Sequence, residues 1–161
     1  MMLRTALLLL PLLLSAPPAK AAPFASPEDA AAELMFGISD GTDARLEGER
    51  IWRRLSASPA VFAAGTQRLT VERLDACRYA VTRYGISAGA APRPFRATID
   101  MSRITAWRAV DNDGVVEGDG LCIHTYRNAC PARSFSFQTP DGVGRRHEEA
   151  FAMLKAACAG R

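Results

Sequence analysis

RSFSFQTPDGVGRRHEEAFAMLKAAC, residues 133–158, carries two periodicities from which the fold can be read outward. From Arg133 to Gln138 the rings of Phe135 and Phe137 alternate with polar side chains, and a period of two puts both rings on one side of a pleated strand. Thr139-Pro140-Asp141-Gly142 follows, where proline fixes φ and glycine is free to turn, so the strand should stop there. A helix is expected from about Arg145. His147, Ala150, Phe151, Leu154 and Cys158 recur at spacings of three and four and share one stripe, with Arg145, Glu148, Glu149 and Ala152 mostly off it. Glu148 and Glu149 near its start, Lys155 near its end and Gly160 beyond suit the helix dipole and a glycine stop. A six-residue strand and a fourteen-residue helix both span roughly 20 Å. A helix folded back over its own strand would return Cys158 to Cys130, so this pairing is expected, with Phe151 and Leu154 over Phe135 and Phe137.

The other end of the 161-residue chain sets the compartment. Leu7 to Leu14 is apolar apart from Pro11, follows Arg4, and precedes Ala19-Lys20-Ala21, which places a secretory signal over residues 1–21. That run is short for a bilayer span and no later stretch approaches twenty apolar residues, so the mature product is expected to be exported, periplasmic or secreted, without a membrane span. Residues 22–161 suffice for one domain. Without Arg4 and Lys20, 18 basic residues face 17 acidic ones, a net charge of about +1, which disfavours nucleic acid as a partner. Lys155 is then the one lysine remaining, a bias read as compositional.

Four cysteines, Cys77, Cys122, Cys130 and Cys158, in an exported chain argue for two disulfides. If Cys130 takes Cys158, Cys77 is left with Cys122; the rival is Cys122 with Cys130 and Cys77 with Cys158. No C-x-x-C supports a redox role.

Between the two ends, Ser26-Pro27-Glu28-Asp29 reads as a helix start, with a capping hydroxyl, proline at the first position and carboxylates in the first turn. Ala30, Ala31, Leu34, Met35 and Ile38 form its apolar face, and it should end near Ser39-Asp40-Gly41. Arg45 to Leu55 reads as helix or strand, and Ile51 to Ser56 is taken as strand; Ser58-Pro59 interrupts it, and Val61-Phe62 is expected to cover an edge of the core. Further strands are expected over Arg68 to Arg73, Cys77 to Tyr84, Phe95 to Met101, Ile104 to Val110 and Leu121 to Tyr126, with a loop at Gly85 to Pro94 and a turn at Asp111-Asn112-Asp113-Gly114 into Val115-Val116-Glu117. Hairpin-length connections exclude parallel crossovers. The expected class is α+β, a strongly curved antiparallel sheet or partly open barrel of about six or seven strands with an N-terminal and a C-terminal helix packed on it. In element order this resembles a pleckstrin-homology-like barrel, a likeness of order that carries no function with it.

Chemical signatures are sparse. His124 beside Cys122 suggests a metal set only if the thiols stay reduced, and an oxidising compartment argues against that. His147-Glu148 opens like H-E-x-x-H, yet Phe151 stands where the second ligand belongs. Asp111, Asp113, Glu117 and Asp119 concentrate oxygens that a weak cation could use, but their order does not fit an EF-hand and a hairpin explains them equally. No G-x-S-x-G occurs, and Arg73, Arg78 and Arg83, at odd spacing, fall on alternating strand faces. Trp107 is read as core and Trp52 as core or surface. No catalytic, metal or cofactor site is assigned. The chain is expected to be an exported noncatalytic domain binding a protein or other envelope component. The alternatives are a small-ligand carrier with a cavity lined by Tyr79, Trp107 or Phe137, and a small secreted hydrolase.

Overall fold

The computed structural model describes residues 23–38, 45–47, 50–85, 94–110, 113–124, 129–138 and 145–160. The leader read over residues 1–21, the loop over 86–93, the turn at 139–142 and the pair Asp111-Asn112 lie outside these.

Helix α1 (Pro27–Phe36) begins as its sequence demands: the Asp29 amide donates to Ser26 Oγ at 3.2 Å and Pro27 occupies the first turn. It stops earlier than expected. Gly37 takes φ 64°, a left-handed cap open to glycine, and its amide donates to the Glu33 carbonyl at 2.8 Å, so the chain turns before reaching Ser39. Burial is not confined to the apolar face, since every residue from Glu28 to Phe36 is buried, three acids included. This helix is enclosed.

Among the described residues nine strands follow: β1 (Arg45–Glu47), β2 (Arg50–Ala57), β3 (Ala60–Ala64), β4 (Gln67–Arg73), β5 (Arg78–Gly85), β6 (Phe95–Asp100), β7 (Ile104–Val110), β8 (Asp113–Ile123) and β9 (Ala129–Gln138), and then helix α2 (Arg145–Ala159). All pairings are antiparallel, the α+β class expected. Seven of the strands match expected ones, with the stretches read at Val115–Glu117 and from Leu121 joined in the single strand β8. The additions are β1 and β3. The latter, Ala-Val-Phe-Ala-Ala, shows no polar alternation, so its period is invisible in sequence although Ala60, Phe62 and Ala64 turn inward.

Strands β6 and β7 both run antiparallel to β8, against Leu121–Ile123 and Asp113–Gly118 respectively, while β9 takes the other edge. They are two halves of one strand broken at Met101–Arg103. The break drives backbone into β8, and two glycines receive it. A Cβ on Gly118, already at φ +124°, would strike the Arg103 carbonyl and lie 2.9 Å from the Thr105 nitrogen; one on Gly120 would strike the Asp100 carbonyl. The sheet is thus a continuous meander with β1 and β9 as its outer edges. From β2 to β9 a flat sheet would measure roughly 29 Å at standard strand spacing. Yet α1, about 15 Å long, reaches β2 through Asp29–Arg54 and also contacts β4, β5 and β9, so the sheet curls around it without closing. Leu69, Val71, Tyr79, Val81, Ala97 and Ile99 line the concave side.

Helix α2 buries the expected stripe of His147, Ala150 and Leu154, but packs on α1. Its end does not return to its own strand. Cys158 bonds Cys77 with Cα atoms 4.6 Å apart, and Cys122 bonds Cys130 across the β8–β9 hairpin at 4.5 Å, overturning the expected Cys130–Cys158 and Cys77–Cys122 pairing. The reason is that α1 lies beneath the sheet, so α2 crosses it toward the start of β5. There Lys155 Nζ donates to the carbonyls of Met101 and Ile104 at 2.9 and 3.0 Å, and the Met101 amide donates to the Cys77 carbonyl at 2.9 Å. A compact ammonium suits two converging carbonyls, and hydrogen bonds to a charged group contribute roughly 1.5–3 kcal/mol each.

Asp75 shapes the turn that presents Cys77. Its carboxylate accepts from the amides of Cys77 and Arg78 at 2.8 and 2.9 Å and from Arg78 Nε at 2.6 Å. The Cys77 amide first, then the Arg78 guanidinium, hold its pKa down to about 2 against an ordinary 3.8. A depressed folded pKa means the interaction stabilises fully above the unfolded value and is lost as pH falls through the folded one. NMR titration of the Asp75 carboxyl should therefore show a midpoint near pH 2 with the Cys77 and Arg78 amide signals following it; a midpoint near 4 would contradict this turn.

Candidate functional site

The enclosed carboxylates of α1 are the first place where chemistry could reside, because burying an ion is costly unless it is paired. Asp29 meets Arg54 of β2, with side chains 0% and 8% exposed. Burial pulls the Arg54 pKa below its ordinary value, and the nearby Glu28 carboxylate opposes that fall. Glu33 faces α2, with His147 Nδ1 3.5 Å and Arg146 Nε 3.9 Å from its oxygens. His147 stacks on Trp107 at 5.9 Å between ring centroids, and Arg146 lies over the Phe24 ring. Asp29 and Glu33 are thereby each matched to a guanidinium from an element packed on the helix. Asp29, Glu33 and His147 are at most 1% exposed, so in this conformation they hold α1 between the sheet and α2 and meet no solvent-borne substrate. Tyr79, also wholly buried, has its phenol pKa raised, first by desolvation.

The convex face is different. Thr70, Thr82, Tyr84, Arg53, Ala63 and Arg68 point outward by strand alternation, opposite to buried Leu69, Val71 and Val81. Between β3, β4 and β5 lies a groove of about 550 Å³ lined by Ala63, Gly65, Thr66, Gln67, Arg68, Thr70 and Tyr84, with Arg53 and Thr82 on the same face beside it. Its end is the β3–β4 hairpin, where Gly65 at φ 53° makes the two-residue turn. A smaller hollow of about 220 Å³ on the same face lies among Leu74, Arg78, Asp100, Arg103 and Asp119.

The residues weighed from sequence are dispersed. His124 lies at the end of β8 with Nε2 3.1 Å from Thr98 Oγ1, and the neighbouring Cys122 sulfur is in a disulfide. Glu117 pairs with Arg108, Asp119 borders the smaller hollow, and the side chains of Asp111 and Asp113 lie outside the described residues. Among the described residues no three His, Cys, Asp or Glu side chains gather as a metal site would need. Arg73, Arg78 and Arg83 do separate: Arg73 donates to the Asp75 carbonyl, Arg78 pairs with Asp75, and Arg83 sits over the Phe36 ring. Trp52 is core, Trp107 is half-buried against His147, and the Phe135 and Phe137 side chains lie outside the described residues. What sequence reasoning missed is Glu33 and Arg54. The available signal was a charged residue facing inward on an otherwise apolar strand pattern, Trp52-Arg53-Arg54.

Breaking a buried pair leaves an uncompensated charge, so Arg54→Met should lower unfolding free energy in urea by about 3–5 kcal/mol, with most of it restored in Arg54→Met/Asp29→Leu. Equal loss in the single and double variants would show that the two side chains are not coupled. Comparison with known proteins finds no matching family model, no matching curated protein and no matching solved structure.

Proposed function

We propose that the chain is an exported, noncatalytic binding domain whose working surface is the convex face of the sheet, and that its partner is a macromolecule of the cell envelope or exterior. The observation that carries this reading is the division between the two faces. The concave side is occupied by α1 and covered by α2, whereas the convex side bears the open groove over β3–β5. Two disulfides fit an oxidising location, and no helix among the described residues is long and apolar enough to cross a membrane. A carrier would need room under the sheet, where α1 lies, and a hydrolase would have to draw on carboxylates such as Asp100 and Asp119, which border only the smaller hollow. Both alternatives have less to rest on than the binding domain.

The test is affinity capture from the organism's own envelope and extracellular fractions, using the mature oxidised protein beside a Thr70→Trp variant that fills the groove. The expected result is one macromolecule retained by the parent and lost by the variant. Equal retention by both, or recovery of a small molecule alone, would overturn the proposal.

A further inference from the structure

The convex groove has a chemistry that narrows its occupant. One cross-strand row reads Arg53 (β2), Ala63 (β3), Arg68 (β4) and Tyr84 (β5), and the next reads Val61, Thr70, Thr82 and Arg96. Arg53 and Arg68 are two strands apart, about 10 Å at standard spacing, with only an alanine between them. Neither row contains an acid. The nearest described acids on this face are Glu72, one row beyond Thr70, and Asp100, which accepts from the Ser102 amide at 3.0 Å. The local charge is therefore positive although the mature chain is nearly neutral, and it calls for an anionic occupant.

The remaining lining decides which anion. Tyr84 is 39% exposed and lies beside Arg68 in the cross-strand row, while Thr66 and Thr70 offer hydroxyls. Strand addition by a peptide is blocked, because β3, β4 and β5 are each paired on both edges. A docked helix would need apolar holes, and the floor here is Ala63 and Thr70. We infer that the groove binds an acidic polysaccharide. Its carboxylates lie on Arg53 and Arg68, a sugar ring lies against Tyr84, and its hydroxyls meet Thr66 and Thr70. The volume lies within the roughly 300–1,000 Å³ range of ligand sites.

This inference rests on the convex face being the working surface, and the experiment separates the two. Isothermal titration calorimetry of the mature oxidised protein is run with hexagalacturonate, and with neutral maltohexaose, hexaglutamate and phosphatidylglycerol vesicles for comparison. Saturable binding to hexagalacturonate is expected, weakening as salt rises, and about tenfold weaker in Arg53→Gln and in Arg68→Gln, as for loss of one charge-assisted contact. Tyr84→Ala should weaken it further, with thermal melting of all three variants unchanged. Absence of hexagalacturonate binding, binding unaffected by the substitutions, or preference for hexaglutamate or the vesicles would overturn the acidic polysaccharide. Should groove-dependent capture succeed while hexagalacturonate fails, the assigned chemistry is wrong and the working surface stands; should both fail, both readings fall.

Discussion

The architecture depends on one junction, where the end of α2 meets the start of β5 and the break between β6 and β7. Cys158 is bonded there to Cys77, the Lys155 ammonium holds two carbonyls of the broken strand, and the Met101 amide ties that strand to the Cys77 carbonyl. A strand that breaks exposes carbonyls that its neighbour no longer satisfies, and buried carbonyls need donors. Lys155 supplies them from across the core. The bridge spans 81 residues of sequence, and in the chain-entropy account cross-linking a long loop stabilises by several kcal/mol through the unfolded state. Lysine here is a structural choice, since every other cation after residue 20 is arginine and a planar fork is less suited to two carbonyls on one side.

Closing the chain over α1 has a consequence for charge. A helix wrapped by a sheet and capped by a second helix has no wet side, so Asp29 and Glu33 on it must find cations within the core. They find them on different elements, Arg54 of β2 for Asp29 and Arg146 of α2 for Glu33, with the His147 ring beside it. Interior polarity here belongs to assembly, and the surface proposed for recognition is the convex one.

Much of this was legible in sequence. The stripe on α2, the cap at Ser26, the alternating strands and the antiparallel α+β class follow from local periodicity and turn chemistry, which need no knowledge of neighbours. The likeness in element order to a pleckstrin-homology-like barrel goes no further, since the sheet stays open around α1 and no solved structure matches. The pairing of the cysteines was misread because it depends on what lies between the helix and the sheet, and the enclosure of α1 leaves no mark on helical periodicity. Strand β3 escaped because alanine, valine and phenylalanine in succession show no polar face. Glu28 and Asp29 looked like ordinary first-turn acids, and only packing reveals that they are buried. The groove itself is a product of register, with Arg53 and Arg68 brought together across a strand from positions fifteen residues apart.

Trypsin places the four cysteines in separate peptides, 74–78, 109–127, 128–133 and 156–161, so mass spectrometry of a non-reducing digest reads their connectivity directly. The account requires peptide 74–78 joined to 156–161 and 109–127 joined to 128–133. A bond between 128–133 and 156–161 would place α2 back over its own strand and dismantle the junction on which the enclosure of α1 depends.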